Sequence, residues 1–331
     1  MTVPSPTMTT RVLHYGADAI AEASQLIAAG GIVAVPTETV YGLAADATDA
    51  RAVAAIYAAK GRPSFNPLIV HVLDLAAAQQ LAVFDDMALR LAEAFWPGPL
   101  TLVLPLARDA PVASLVTAGL STIAIRMPAH RAMRALLAAT GKPLAAPSAN
   151  ASGGISPTRA THVVASLGGR IPLVIDDGAT EAGLESTIVG IAGGLRILRP
   201  GPITEDALHD LFPGEGRGPA PPSAVTGPRS SPGKPPVTAP GQLESHYAPS
   251  KPLRLNATSA NQGEWLIGFG AIAGDETLSE SGDLGEAAAR LFDLLHRADA
   301  NDRPRIAVAP IPHDSLGIAI NDRLRRAAHR D

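Results

Sequence analysis

The stretch DAIAEASQLIAAGGIVAVPTETVYGL, Asp18 to Leu43, decides the fold class. Asp18 to Ala29 reads as a helix that Gly30 and Gly31 terminate, and the apolar run Ile32 to Val35 reads as a strand. Working outward, the same alternation repeats: helix near Asp49 to Ala59, strand at Leu68 to Val72, helix near Asp86 to Phe95, strand at Thr101 to Leu104. Further strands are expected at Thr122 to Ile125, Leu173 to Ile175, Thr187 to Val189 and Leu195 to Leu198. Helices are expected near His130 to Ala139 and Arg159 to Leu167. The order is that of an α/β protein, and the late clustering of strands predicts a mixed sheet.

Between Pro213 and Pro249 the pattern stops: ten prolines and six glycines leave no room for a period, so this segment is read as a linker. Beyond it, strands at Leu253 to Leu255, Trp265 to Phe269 and Ile306 to Ala309, with helices at Glu286 to Arg297 and Ile320 to Ala328, predict a small α/β domain. The expected division is therefore residues 1–212, a linker over 213–250, and 251–331. A chain of 331 residues suits one large and one small core.

Composition narrows the function. Aromatic residues are 4% of the chain, which leaves few platforms on which single-stranded nucleic acid could stack. The formal charge of −4 gives no global attraction to polyanions, so any phosphate site must be built locally from cations and backbone N–H groups. Cysteine is absent, which removes thiol nucleophiles, disulfides and cysteine zinc sites. The start of the chain lacks a signal-peptide pattern and no apolar run approaches a membrane span, so a cytoplasmic protein is expected.

Four polar clusters fall at strand ends, where α/β proteins bind ligands. PTETVYGL (Pro36 to Leu43) brings two hydroxyls, a carboxylate and a phenol; a polar turn is the plainer reading. KGRP (Lys60 to Pro63) sets two cations about a glycine, either as partners of the helix end or as an anion site. His71 interrupts an apolar strand, where a core role is common. STIAIRMP (Ser121 to Pro128) ends a strand in Arg126, a guanidinium that needs either a protein carboxylate or a substrate one. APSANASGGISPT (Ala146 to Thr158) packs hydroxyls and glycines before a helix, in the manner of a phosphate loop or of an ordinary N-cap. Walker A, HExxH, EF-hand and GxSxG patterns are missing, and the GxGxxA at Gly268 to Ala273 is followed by no convincing helix. An RNA-binding module and a hydrolase using Ser148 or Ser186 are the rival classes.

Taken in order, PTETVYGL, KGRP, NPL (Asn66 to Leu68), WPGPLTLVL (Trp96 to Leu104), IRMP (Ile125 to Pro128), PSAN (Pro147 to Asn150), ESTI (Glu185 to Ile188), RPG (Arg199 to Gly201) and HYAP (His246 to Pro249) resemble the Sua5/YrdC/YciO family in its longer, two-domain Sua5 branch. The resemblance implies a YrdC-like twisted mixed sheet with flanking helices, plus a small C-terminal Rossmann-like domain. It implies synthesis of threonylcarbamoyl-adenylate from threonine, bicarbonate and ATP with Mg2+, for a tRNA-modifying threonylcarbamoyl transferase downstream. It further implies catalytic roles for Lys60, Arg62, Ser148 and Asn150; threonine contacts from Thr39, His71, Arg126, Ala146 and Ser186; and ATP contacts from Arg62, Asn66, Thr122, Ser148, Ser156 and Arg199. Tyr247 would reach the ATP from the linker, and no protein-held metal is implied. The linker departs from the family pattern in being long and proline-rich and in lacking basic residues just before HYAP.

Overall fold

The computed structural model describes residues 9–212 and 246–329. Ten strands form one mixed sheet: β1 (Arg11–His14), β2 (Val33–Pro36), β3 (Tyr41–Asp46), β4 (Ile69–His71), β5 (Leu100–Pro105), β6 (Thr122–Arg126), β7 (Leu144–Ala145), β8 (Leu173–Asp176), β9 (Thr187–Gly190) and β10 (Arg196–Arg199), in the order β1-β8-β2-β3-β7-β4-β6-β5-β9-β10. Four more, β11 (Leu253–Arg254), β12 (Glu264–Gly268), β13 (Glu276–Thr277) and β14 (Arg305–Val308), form a separate all-parallel sheet in the order β11-β14-β12-β13. A mixed sheet with flanking helices and a small C-terminal α/β unit is what the alternation predicts.

Period-2 alternation places the core on both faces of the large sheet. In β2, Ala34 joins the cluster that includes Tyr41, Val70 and Leu102, while Val33 and Val35 join Leu173, Ile175 and the helices Ala17–Ala28 and Arg131–Thr140 on the other face. Burial of both faces explains why the strands read as apolar runs rather than as half-polar ones.

Several elements escaped the sequence reading. Tyr41–Asp46, read as a loop, is a full strand that pairs antiparallel with β2, Pro36 opposite Tyr41 and Val33 opposite Ala44. Its YGLAAD text has little β preference, so the pairing partner and not the local sequence makes it a strand. The strands at 11–14, 144–145 and 276–277 and the helices Leu75–Leu81, Ser114–Thr117 and Glu205–Leu211 were likewise unread, all being short. The last two helices begin earlier than expected, at Leu284 and Ser315. Between Gly268 and Gly282 the chain forms β13 and no helix, so the GxGxxA text lacks the helix that a dinucleotide motif needs.

The C-terminal unit packs directly on the large one. Val40, Ile155 and Leu184 share a core with Tyr247, Phe292 and Leu324. Arg159 pairs with Asp293 at 2.9 Å, and the His296 ring, stacked 3.9 Å from His162, bonds the Ser156 carbonyl at 3.1 Å. Gly183 lies at the tightest point: its φ is +66°, and a β-carbon there would sit 2.5 Å from the Ala288 carbonyl of helix Leu284–Ala300. Gly183→Ala therefore combines a left-handed backbone strain of about 1–2 kcal/mol with displacement of that helix. The expected outcome is a lower melting temperature and faster proteolysis of the C-terminal unit; a variant that melts and digests like wild type would show the junction to be slack.

Candidate functional site

The β2–β3 hairpin turn is organised by one hydroxyl. Thr37 Oγ1 accepts from the N–H groups of Thr39 and Val40, both at 3.2 Å, and pairs with Thr39 Oγ1 at 2.7 Å. This turn holds Glu38 and Thr39 against Arg126, the last residue of β6. Arg126 Nη2 lies 2.6 Å from Glu38 Oε1, Nη1 donates to Thr39 Oγ1 at 2.9 Å, and Nε donates to the Gly98 carbonyl of the WPGP loop at 3.1 Å. Arg126 thus has its counter-ion inside the protein and is buried with it. His71 is its direct neighbour in the parallel β4–β6 ladder.

The KGR segment owes its geometry to Gly61. Helix Ala50–Lys60 is capped at its start by the Asp49 side chain and ends at Gly61 in the left-handed region, φ 61°, which lets the Arg62 N–H return to the Tyr57 carbonyl. Reversing the chain there sends the two cations apart. Lys60 Nζ donates to the carbonyls of Ser148 and Asn150, each at 2.5 Å, and clamps the PSAN loop. Arg62 bonds the carbonyls of Asn66 and Pro67 at 3.2 and 2.9 Å and presents the rest of its guanidinium to the cavity. The helix-dipole reading of Lys60 fails: the ammonium leaves its own helix end for a neighbouring loop.

At the sheet's other flank, Arg199 ends β10 and donates to the Ser186 carbonyl through Nε at 3.1 Å and Nη2 at 2.9 Å, and to Ser186 Oγ at 3.1 Å. Ser186 Oγ also pairs with Thr101 Oγ1 at 2.7 Å. Glu185 accepts from the Ser156 hydroxyl and, at 2.8 Å, from Arg323 of the C-terminal unit. His246 and Tyr247 cover this flank, Tyr247 at φ 63° and packed on Phe292, with Ala248 bonded to the Gly153 carbonyl. Residues 213–245 of the expected linker lie outside the described residues.

These walls enclose one cavity. Of the residues singled out from the sequence, Thr39, Arg62, His71, Arg126, Ala146, Ser148, Ser186, Arg199 and Tyr247 line it. Lys60, Asn66, Asn150 and Ser156 stand one layer behind; Thr122 begins β6, at the end opposite Arg126, and is outside the lining. Asn66 is fully buried with neither amide atom hydrogen-bonded. Sequence reasoning assigned no role to Thr37, Glu38, Glu185 or His246, although each stands inside a quoted motif. The cavity measures about 50 Å3, and His246 and Tyr247 form part of its wall.

Burial sets the charge states. Desolvation pushes His71 down to about 3, with Arg126 adding to the effect, so the ring is neutral, and its Nδ1 has no hydrogen-bond partner. Burial, then Arg62, lowers His246 well below its usual range, and burial raises the Tyr247 phenol, whose hydroxyl is also unpartnered. Arg62 is lowered by burial to about 10 and remains cationic at neutral pH. Among the described residues Glu185 is the one carboxylate in the cavity lining, where burial opposes its ionisation but Arg323 and Arg199 outweigh it.

Comparison with known proteins places this geometry. The Sua5/YciO/YrdC family model, described as "Telomere recombination", matches residues 25–201, and a second, "Threonylcarbamoyl-AMP synthase, C-terminal domain", matches 203–329. A threonylcarbamoyl-AMP synthase of Bacillus subtilis (strain 168) is 39% identical over 93% of this chain and 92% of its own. One from Pyrococcus abyssi (strain GE5 / Orsay) is 38% identical over 92% of this chain and 93% of its own. The crystal structure of P. abyssi Sua5 complexed with L-threonine superposes with a TM-score of 0.84 at 34% identity, covering 97% of this chain and 98% of that one.

The Glu38–Arg126 pair carries a pH signature. Burial works against the carboxylate, but Arg126 outweighs it and holds Glu38 below its ordinary value of 4.5. Its stabilising contribution is therefore complete above about pH 4.5 and is lost as pH falls through the lowered value. Glu38→Gln is expected to destabilise the protein by roughly 1–3 kcal/mol at neutral pH, with the gap to wild type closing under acid in urea titrations. A gap of constant size down to about pH 3.5 would contradict the pairing.

Proposed function

The chain belongs to the Sua5/YrdC/YciO family, and on that premise we propose that it forms L-threonylcarbamoyladenylate and pyrophosphate from L-threonine, bicarbonate or CO2, and ATP, for modification of tRNA adenosine 37. The observation that carries this reading is the convergence on one cavity of Arg62 and Arg199, which bond neutral oxygens, beside Arg126, which Glu38 offsets. Such a surplus of buried positive charge has no purpose without an anionic occupant. Three anions meet in the reaction: the threonine carboxylate, the carbamate and the triphosphate.

In this reading Arg126, oriented by Glu38 and Gly98, shares its guanidinium with the threonine carboxylate, and Thr39, Ala146 and Ser186 complete that end. Neutral His71, with its open Nδ1, accepts a hydrogen bond from the amino acid. The threonine amine adds to CO2 and loses a proton to give the carbamate. A carbamate oxygen then attacks the α-phosphorus, and the bond to the bridging oxygen of pyrophosphate breaks. Arg62, Arg199 and Ser148 hold the phosphates in line and answer the charge that gathers on the leaving group. Lys60 acts on the reaction through the Ser148–Asn150 loop it clamps, not by contact. Asn66, Thr122 and Ser156 are assigned to the ATP side, and Asn150 to catalysis, by family resemblance. Among the described residues no three His, Asp or Glu side chains gather for a metal, so Mg2+ would ride on the phosphates and reduce their repulsion. His246 and Tyr247, which line the cavity, would exclude water from a hydrolysable anhydride by covering the bound substrates.

The serine-hydrolase alternative loses ground because Ser186 is committed to Thr101 and Arg199. Among the described residues no helix is long and apolar enough to cross a membrane. The division at 212 and 250, the cytoplasmic setting and delivery to a threonylcarbamoyl transferase belong to the same proposal.

Incubation with ATP, bicarbonate, Mg2+ and threonine should yield threonine-dependent pyrophosphate and the adenylate by mass spectrometry. Arg62→Ala and Lys60→Ala should each abolish it while the protein stays folded. Unchanged turnover in both would remove this segment from the mechanism. Arg126→Lys loses the planar fork and should weaken threonine binding at least about tenfold while ATP binding changes less than about twofold. Equal losses for the two ligands by calorimetry would mark Arg126 as structural.

A further inference from the structure

Arg323 sits on helix Ser315–Ala328 of the C-terminal unit, yet it is fully buried and its guanidinium ends at the cavity wall of the large domain. Nε donates to Glu185 Oε2 at 2.8 Å, Nη2 reaches the Glu185 carbonyl at 3.5 Å, and Nη1 donates to the Pro200 carbonyl at 2.9 Å. The same guanidinium lies 5.4 Å from the Tyr247 ring centre and pairs with Asp322, which Arg326 also engages. Ser156 takes the other Glu185 oxygen. One side chain of the second domain therefore fixes a lining carboxylate, the backbone beside Arg199 and the ring that covers the cavity.

Its charge matters as much as its bonds. Glu185 is a buried anion facing the space assigned to the most highly charged substrate, and after Arg323 the next cation within its reach is Arg199. Arg199 for its part bonds only neutral Ser186 oxygens and so keeps its charge for a ligand. Without Arg323, Glu185 would turn its charge on Arg199 and on the phosphates together.

We propose that Arg323 is a positioning residue for nucleotide binding: by occupying Glu185 it keeps Arg199 and Arg62 available to the triphosphate, and this is a contribution of the C-terminal domain to the active site. The assignment of that cavity end to ATP rests on the function proposed above.

The test measures ATP and threonine binding separately by calorimetry on the full chain, with adenylate synthesis followed in parallel. Arg323→Gln should weaken ATP at least about tenfold, with threonine within about twofold. Adding Glu185→Gln to that variant should return ATP affinity to within about threefold of wild type, since it removes the stranded anion. Arg323→Lys, which keeps the charge, should fall between the two and serves if the glutamine variant does not fold. A folded double variant that binds ATP as poorly as the single one would overturn the proposal. If wild type binds both ligands but forms no adenylate, the proposed function fails while the Arg323 assignment is still decided by ATP affinity.

Discussion

A guanidinium taken out of water loses hydration that costs several kcal/mol unless oxygens replace it. Four of them, on Arg62, Arg126, Arg199 and Arg323, lie around one cavity with less than a tenth of each residue exposed. The surrounding structure is arranged to answer them. Loop carbonyls of Asn66, Pro67, Gly98, Ser186 and Pro200 turn inward, and two carboxylates, Glu38 and Glu185, pair with Arg126 and Arg323.

The partition of charge between the two ends follows from that arrangement. At one end Glu38 offsets Arg126, leaving a polar, near-neutral seat beside a neutral histidine, suited to a zwitterion whose own charges pair with it. At the other, Arg62 and Arg199 meet mainly carbonyl dipoles and retain net positive charge. Under the proposed function this division of charge is what separates a small amino acid from a polyanion within one cavity.

Much of this was legible in the sequence where local chemistry is strong. Buried strands are continuous apolar runs, helix ends carry Gly30–Gly31 and Gly61, and the motifs name most of the lining. What was not legible depends on distant partners. Tyr41–Asp46 is a strand because β2 lies beside it, not because YGLAAD prefers to be one. Glu185 and Glu38 carried no legible role, and only the approach of Arg323, 138 residues away, and of Arg126 shows what each carboxylate does. Lys60 pointed to anion binding by residue type, yet its ammonium serves two backbone carbonyls.

The left-handed turn at Gly61 also makes the length of helix Ala50–Lys60 a quantised variable. Each residue added to or removed from an α-helix rotates everything after it by about 100° and shifts it about 1.5 Å. Lys60 and Arg62 leave this helix end toward opposite targets, so a one-residue insertion would aim neither correctly, and only changes of whole turns would come near to restoring the phase. The helix is accordingly locked in count, a constraint on insertions and deletions that no single substitution along it would reveal.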